Sequence, residues 1–160
     1  ADAKVVFVAA KAESASTDAK YAFLLDAEPT AKMENGKEIY VYSVMIDGDN
    51  TATLTATSTT KMAGIAENER FEYTLKDGKL DKADRSAPAN SKLTVLKAGN
   101  GYLDLQTVGV KDLAKDCVVY EYDSAANTYA TGVSVADGDT VDIYTKDNAI
   151  TMIVITAHAD

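Results

Sequence analysis

The chain is poor in the residues that most often carry chemistry: its 160 residues include one cysteine, one histidine and no tryptophan. The single cysteine, Cys117, excludes an internal disulfide. A catalytic Cys–His pair would need His158, which is the third residue from the end of the sequence, where chains often fray. Without tryptophan, the large aromatic platform of many sugar-cleaving sites is missing. We therefore expect no enzyme, no catalytic residue and no cofactor.

Positive charge is also scarce, with 16 Lys and Arg against 25 Asp and Glu and a net charge of -9. Such a field repels phosphate backbones, so nucleic acid is not an expected partner. No run of about 18 apolar residues occurs, so we expect no membrane span in this segment. The sequence begins almost directly in the apolar stretch ADAKVVFV, which favours a piece cut from a longer or processed protein.

What the sequence does contain is apolar alternation of period 2, separated by turn residues such as Lys76-Asp77-Gly78. This pattern predicts an all-β chain. The predicted strands are Lys4–Ala10, Lys20–Ala27, Lys37–Ile46, Thr51–Thr57, Glu69–Leu75, Lys79–Ala83, Lys92–Lys97, Tyr102–Thr107, Cys117–Asp123, Thr140–Thr145 and Ala149–Thr156. Short helical turns are predicted only over Lys61–Ala66 and Gly109–Ala114.

One stretch is present twice: Ile65–Leu80 aligns with Val135–Ile150 without a gap, in pattern more than in identity. Weaker alignments extend the repeat: Val5–Ala10 over Leu93–Ala98, Lys20–Ala27 over Gly101–Val108, and Glu38–Ser43 over Val118–Asp123. Residues 1–85 and 92–160 are then two domains joined by a connector over 86–91. We expect two tandem small β-barrel-like domains, SH3-like or OB-like, from an internal duplication. The alternative is a single two-sheet β-sandwich.

Two acidic turns, Asp47-Gly48-Asp49-Asn50 and Asp137-Gly138-Asp139, resemble calcium loops at first sight. Neither has the glycine at the sixth position or the glutamate at the twelfth that a helix-loop-helix calcium site needs. We therefore predict no metal site of that kind. A weak, irregular surface calcium site stays open as an alternative, beside turns whose Asp side chains bind the local backbone.

Paired tyrosines are the candidate contact residues. The period of a strand places Tyr40 and Tyr42 on one face, and Tyr120 and Tyr122 likewise. Exposed pairs could stack on sugar rings or on a partner protein, whereas buried pairs would serve the core. We predict these four residues as ligand or partner contacts if they are exposed.

The last forty residues carry the motifs Val119-Tyr120-Glu121-Tyr122, Asp137-Gly138-Asp139 and Val141-Asp142-Ile143-Tyr144, then an acidic hairpin and an apolar final strand. In this order they resemble the β-rich modules of clostridial and other Firmicutes (Gram-positive) surface proteins that also carry S-layer homology domains. The resemblance implies an extracellular, cell-wall or S-layer location and a structural or interaction role. It implies other domains of the same surface protein, or cell-wall components, as partners. The alternative is a carbohydrate- or ligand-binding module that uses the paired tyrosines and acidic loops.

Overall fold

A computed structural model describes residues 20–159, which form strands and turns and contain no helix. Within that range, no helix exists that could cross a membrane. The strands are β1 (Lys20–Leu24), β2 (Thr30–Glu34), β3 (Lys37–Ile46), β4 (Asp49–Thr57), β5 (Arg70–Lys76), β6 (Lys79–Arg85), β7 (Asn90–Gly99), β8 (Tyr102–Leu105), β9 (Gly109–Asp123), β10 (Thr128–Ala130), β11 (Thr140–Lys146) and β12 (Ala149–Ala157). The all-β prediction is confirmed. The predicted strand Lys4–Ala10 lies outside the described residues.

The described residues divide into two compact units. The first consists of residues 20–47 and Thr51–Ser86, and the second of Gly48–Asn50 and residues 87–159. Each unit has its own six-stranded sheet and its own apolar core. The expectation of two small barrel-like domains is confirmed, and the single sandwich is not observed.

The first unit is a curled half-barrel. Its sheet has the order β2-β3-β1-β5-β6, and β4 pairs with β3 beside that path. Strand β1 is antiparallel to both β3 and β5, and β5 is antiparallel to β6. The side chains on the concave face form one core, made of Ala22, Leu24, Tyr42, Val44, Leu54, Ala56, Phe71, Tyr73 and Leu80.

The second unit is a closed barrel of five strands. Its ring runs β9-β12-β11-β7-β8 and closes because β9 also pairs with β8, while β10 extends from β9. The long strand β9 makes this closure: Gly109–Asp112 pairs antiparallel with β8, and Val118–Glu121 pairs parallel with β12. The barrel interior holds Leu93, Val95, Leu103, Leu105, Val141, Ile143, Ile150, Ile153 and Ile155.

The structure confirms the gapless repeat, including the position of a register shift in each hairpin. Hairpins β5–β6 and β11–β12 both carry a register shift at the same place, between Thr74 and Leu75 and between Tyr144 and Thr145. Both hairpins turn through two residues of positive φ, Asp77-Gly78 and Asp147-Asn148, which is the backbone of a type I′ turn. One hairpin design was therefore built twice.

Two of the weaker alignments are wrong. Lys20–Leu24 pairs with β5 as β7 pairs with β11, so this strand corresponds to β7 and not to Gly101–Val108. The end of β3 pairs with β1 as β8 pairs with β7, so β3 corresponds to β8 and not to Val118–Asp123. The third alignment, of Val5–Ala10, falls on residues that the structure does not describe.

Both predicted helical turns are also wrong. Gly109–Asp112 is drawn into β9 by its pairing with β8, because a full set of interstrand hydrogen bonds outweighs a short helical preference. Residues 61–66 run without regular structure. They are held by Met62 and Ile65, which pack against the first core, and by the Met62 amide, which donates to the Tyr42 hydroxyl at 3.1 Å.

Candidate functional site

The turns that precede β5 and β11 are the most strongly repeated polar feature of the chain. In the first unit, the Ala66 amide donates to Glu69 Oε1 at 2.8 Å. In the second, the Ala136 amide donates to Asp139 Oδ2, also at 2.8 Å. Each carboxylate thus closes its own turn by accepting from the amide three residues earlier, as the acidic third residue of a helical capping box does.

Backbone conformation in the two turns matches as well. Asn68 has φ of 66° and Gly138 has φ of 90°. Asparagine tolerates this left-handed region better than other side-chain-bearing residues, so it replaces the glycine without changing the turn. In both units the turn also pairs with the first described strand, through Leu24 N to Glu69 O at 3.1 Å and Val95 N to Asp139 O at 2.8 Å.

The first turn is tied to the end of its unit by an ion pair. Arg85, the last residue of β6, places Nε 2.7 Å from Glu69 Oε2. The Ala66 amide and then Arg85 hold the pKa of Glu69 below its usual range. We call Glu69 and Arg85 the first-unit clamp.

The second turn has a different partner in the same role. His158, just beyond β12, lies with Nδ1 3.0 Å from Asp139 Oδ1 and with Nε2 3.0 Å from Glu121 Oε1 on β9. Asp139 is buried, with 1% of its surface exposed, while half of the His158 side chain is exposed. We call Glu121, Asp139 and His158 the second-unit clamp.

Electrostatics in the second-unit clamp favour the charged forms. Burial alone raises the pKa of Asp139, but the hydrogen bonds from the Ala136 amide, His158 and the Ala159 amide outweigh it and leave this pKa below its usual range. Hydrogen bonds to Asp139 and then to Glu121 raise the pKa of His158 above its ordinary value. An imidazolium between two carboxylates follows from this arrangement.

The clamp does not form a nucleophile–base pair. Both ring nitrogens of His158 already face carboxylates, so neither is directed at a hydroxyl or thiol. The thiol of Cys117 instead lies 3.9 Å from the Val118 carbonyl oxygen. Burial, and then the charge of Asp116, raise the pKa of Cys117 to about 11, which leaves the thiol protonated and unreactive near neutral pH.

The predicted tyrosine contacts separate into buried and partly exposed residues. Tyr42 and Tyr120 are buried, with 2% and 4% exposed, so neither presents its ring to a ligand. Tyr40 is half-buried, with its hydroxyl donating to Glu38 and with Lys61 Nζ 4.3 Å from its ring centre. Tyr122 is also half-buried. Tyr40 and Tyr122 both remain predicted ligand or partner contacts.

Around Tyr122 the second unit has an aromatic cluster that the sequence analysis missed. The ring of Tyr129 on β10 lies 4.9 Å from that of Tyr122 and 6.4 Å from that of Tyr120. The Tyr122 hydroxyl donates to Asn127 Oδ1 at 2.9 Å. The cluster thus stabilises the β9–β10 hairpin. The sequence pattern did not predict β10, so its pairing with β9 could not be predicted either.

In the acidic turn Asp137-Gly138-Asp139, both carboxylates accept hydrogen bonds from backbone amides. Asp137 Oδ1 accepts from the Ala98 amide at 2.8 Å, and Asp139 accepts from Ala136. In the part of the chain that the structure describes, no group of three or more His, Cys, Asp or Glu side chains is arranged to hold a metal ion. The Asp47-Gly48 turn joins β3 and β4 with both residues at positive φ, as a hairpin turn does.

The first unit also has an open groove of about 460 Å³, lined mainly by charged and polar residues. It lies between the β2–β3 turn, the β5–β6 turn and the segment after β4, and its lining includes Glu34, Asn35, Thr57, Thr60 and Lys79. Lys79 Nζ and Glu34 Oε2 form an ion pair of 2.7 Å within it. None of the four predicted tyrosines lines this groove.

One signal for the clamps was present in the sequence, since the repeat places Glu69 opposite Asp139. Their partners could not be found that way, because Arg85 and His158 do not occupy matched positions in the repeat. Comparison with protein-family models, with curated proteins and with solved structures finds no match to this chain.

Proposed function

We propose that the chain is a non-catalytic structural module of an exported bacterial cell-envelope protein, in which each unit resists being pulled along the chain direction. The observation that carries this proposal is the direction of two outer strands in a three-stranded ribbon of each unit. In the described part of the first unit these outer strands are β1 and β6, and in the second unit they are β7 and β12.

Within each unit, these two outer strands run parallel to each other. Strand β1 is antiparallel to β5, and β5 is antiparallel to β6. Strands β7, β11 and β12 repeat this order. Within the described residues, each ribbon therefore begins at one end, with the first residue of β1 or β7, and finishes at the opposite end, with the last residue of β6 or β12.

A force along the chain slides the strands of such a ribbon past one another. Hydrogen bonds between antiparallel strands are perpendicular to the strands, so the bonds of the ribbon bear the force together. Pulling a hairpin open from its free end would break the same bonds one pair at a time. Forced unfolding is governed by the unfolding rate. A ribbon pulled along its strands therefore withstands a larger force than a hairpin opened from its free end.

The location in the envelope rests on sequence. The resemblance to β-rich modules of Gram-positive surface proteins supports an extracellular place in the cell wall or S-layer. The partners proposed on that basis are other domains of the same surface protein or cell-wall components. Four carboxylates form hydrogen bonds or ion pairs within their own units: those of Glu69, Glu121, Asp137 and Asp139. These internal contacts support a structural role over a catalytic one.

Single-molecule pulling tests the mechanical part of the proposal. With handles at the two ends of the chain, each unit of about 70 residues should release roughly 20–25 nm in one step. The control is Thr140→Cys with Ala157→Cys in a Cys117→Ala background, because residues 140 and 157 pair at the open end of the β11–β12 hairpin. End-to-end pulling should need a severalfold larger force than pulling through these cysteines. Equal forces would remove the support for the proposal.

Binding to purified Gram-positive cell walls tests the carbohydrate-binding alternative. A structural module should show no saturable binding to isolated wall glycans. Saturable binding that Tyr122→Ala abolishes, and that Tyr21→Ala leaves intact, would favour the ligand-binding function. Tyr21 is a suitable control because it is the most exposed large aromatic side chain of β1, at 39%.

A further inference from the structure

The two clamps do the same task with different cations. Each joins the carboxylate of the turn before the unit's penultimate strand to a residue at or just beyond the end of its last strand, β6 or β12. Arginine stays charged at every pH a protein meets, whereas histidine changes its charge near neutral pH. The duplication thus provides a permanent and a titratable version of one device.

We propose that Glu121, Asp139 and His158 form an acid-stabilised clamp, which holds the end of β12 against the turn before β11 and loosens as the pH rises above neutral. The first-unit clamp, Glu69 with Arg85, stays closed over the same range. This inference does not depend on the proposed envelope function.

The geometry itself requires a charged imidazole. Nδ1 and Nε2 each lie 3.0 Å from a carboxylate oxygen, so a ring that satisfies both contacts has to donate from both nitrogens. Neutral imidazole has only one N–H. Once His158 loses its proton, one of the two carboxylates faces a lone pair and that hydrogen bond is lost.

The charged groups around His158 all favour this protonation. Asp139 faces it from the turn before β11, and Glu121 faces it from β9. Strand β12 has no charged residue of its own. Asp137, in the same turn, is directed to the Ala98 amide at the end of β7. Within the described residues, no cation is shown to act on the imidazole.

Close packing couples the second-unit clamp to the backbone that follows β12. A Cβ built on Gly138 would lie 2.6 Å from Ala159 Cβ, so the chain after β12 passes directly over the turn. The Ala159 amide also donates to Asp139. Loosening of the imidazole therefore frees the end of β12 and uncovers the turn.

The sign of the pH effect follows from the two pKa directions. Because the pKa of His158 is raised on folding, its contribution is complete below the unfolded value of about 6.5 and is lost as the pH rises through the folded value. The pKa of Asp139 is lowered, so its contribution is present above about 3.9 and is lost as the pH falls through the folded value. The clamp is thus strongest between about pH 4 and 6.5.

An NMR titration of the intact chain tests the proposal directly, because His158 is the only histidine and its ring signals need no further assignment. We expect a pKa above the ordinary value of about 6.5. Glu121→Gln and Asp139→Asn should each shift it downward. A titration at or below about 6.5, or one that neither variant moves, would overturn the proposal.

Stability measurements separate the clamp from the background pH response. The urea midpoint of the second unit should fall between about pH 5.5 and 8.5 in the natural chain. His158→Gln should remove this fall, and Arg85→His should introduce one in the first unit. A matching fall in His158→Gln would show that other groups cause it and would refute the clamp.

Discussion

Replacing Asp139 by alanine should destabilise the second unit more than Glu69→Ala destabilises the first. Asp139 is buried and holds the Ala136 amide at 2.8 Å, with a second oxygen directed to His158. Loss of a side chain that caps a backbone amide costs about 0.5–2 kcal/mol, and a buried cap lies at the upper end, so we expect about 1–2 kcal/mol. Glu69 is 28% exposed and water can replace its oxygens, so we expect about 0.5 kcal/mol there.

Urea unfolding at about pH 5.5, followed by far-ultraviolet circular dichroism, measures these free energies. For a domain with a slope of about 1–2 kcal/mol/M, the Asp139→Ala midpoint should fall by roughly 1 M with an unchanged slope. Hydrogen exchange at the amides of Phe71 and Ile143, two fully buried residues, reports the two units separately. Equal losses for the two variants, or a loss in the wrong unit, would refute the reasoning from burial.

Three further outcomes are expected. Gly138→Ala should cost the second unit about 1–3 kcal/mol in urea unfolding, because φ is 90° and the new Cβ would meet Ala159, whereas Asn68→Gly should change stability by less than about 0.5 kcal/mol. Ile143→Ala should cost about 2–5 kcal/mol by the same measurement, since this side chain is fully buried in the barrel. Cys117 should react with iodoacetamide at about pH 8 roughly 100-fold more slowly in the folded chain than in urea, and a rate unchanged by unfolding would contradict its raised pKa.

The sequence predicted local structure well where turn chemistry and apolar alternation agreed. The block Ile65–Leu80 and its copy carry both signals, and their hairpins share even the register shift. Strand β2 was missed although Ala31 and Met33 alternate with polar residues; all five of its residues are exposed, so this short alternation marks no buried face. The short strand β10 was missed for a similar reason, with a single buried residue, Tyr129.

Correspondence between strands could not be predicted in the same way. Alternation of period 2 fits almost any strand over any other, so only the pairing partners fix which strand occupies which place. Tyr42 is the buried member of its pair and Tyr120 of the other, which is the opposite order along the strand. The coincidence of the tyrosines therefore reflected two strand patterns and not one shared position.

The second-unit clamp illustrates the remaining limit. His158 stands beyond the last strand, and the pairing of β11 with β12 carries a register shift between Thr140 and Val141, directly after Asp139. Such a shift changes where a strand ends by one residue without any mark in the sequence pattern. The repeat marks the position of the carboxylate, but only the folded chain brings its partner, His158, to it.

The double pairing of β9 has a consequence for how the second unit is made. Ring closure joins β9 to β12, and its last paired residue on β12 is Ile155. A ribosome releases the chain in order, so one edge of β9 stays unpaired until that residue has emerged. During this interval both β9 and β11 lack their β12 neighbour and could pair with another chain. Release of the chain through residue 155 is thus the step at which these edges of β9 and β11 are covered.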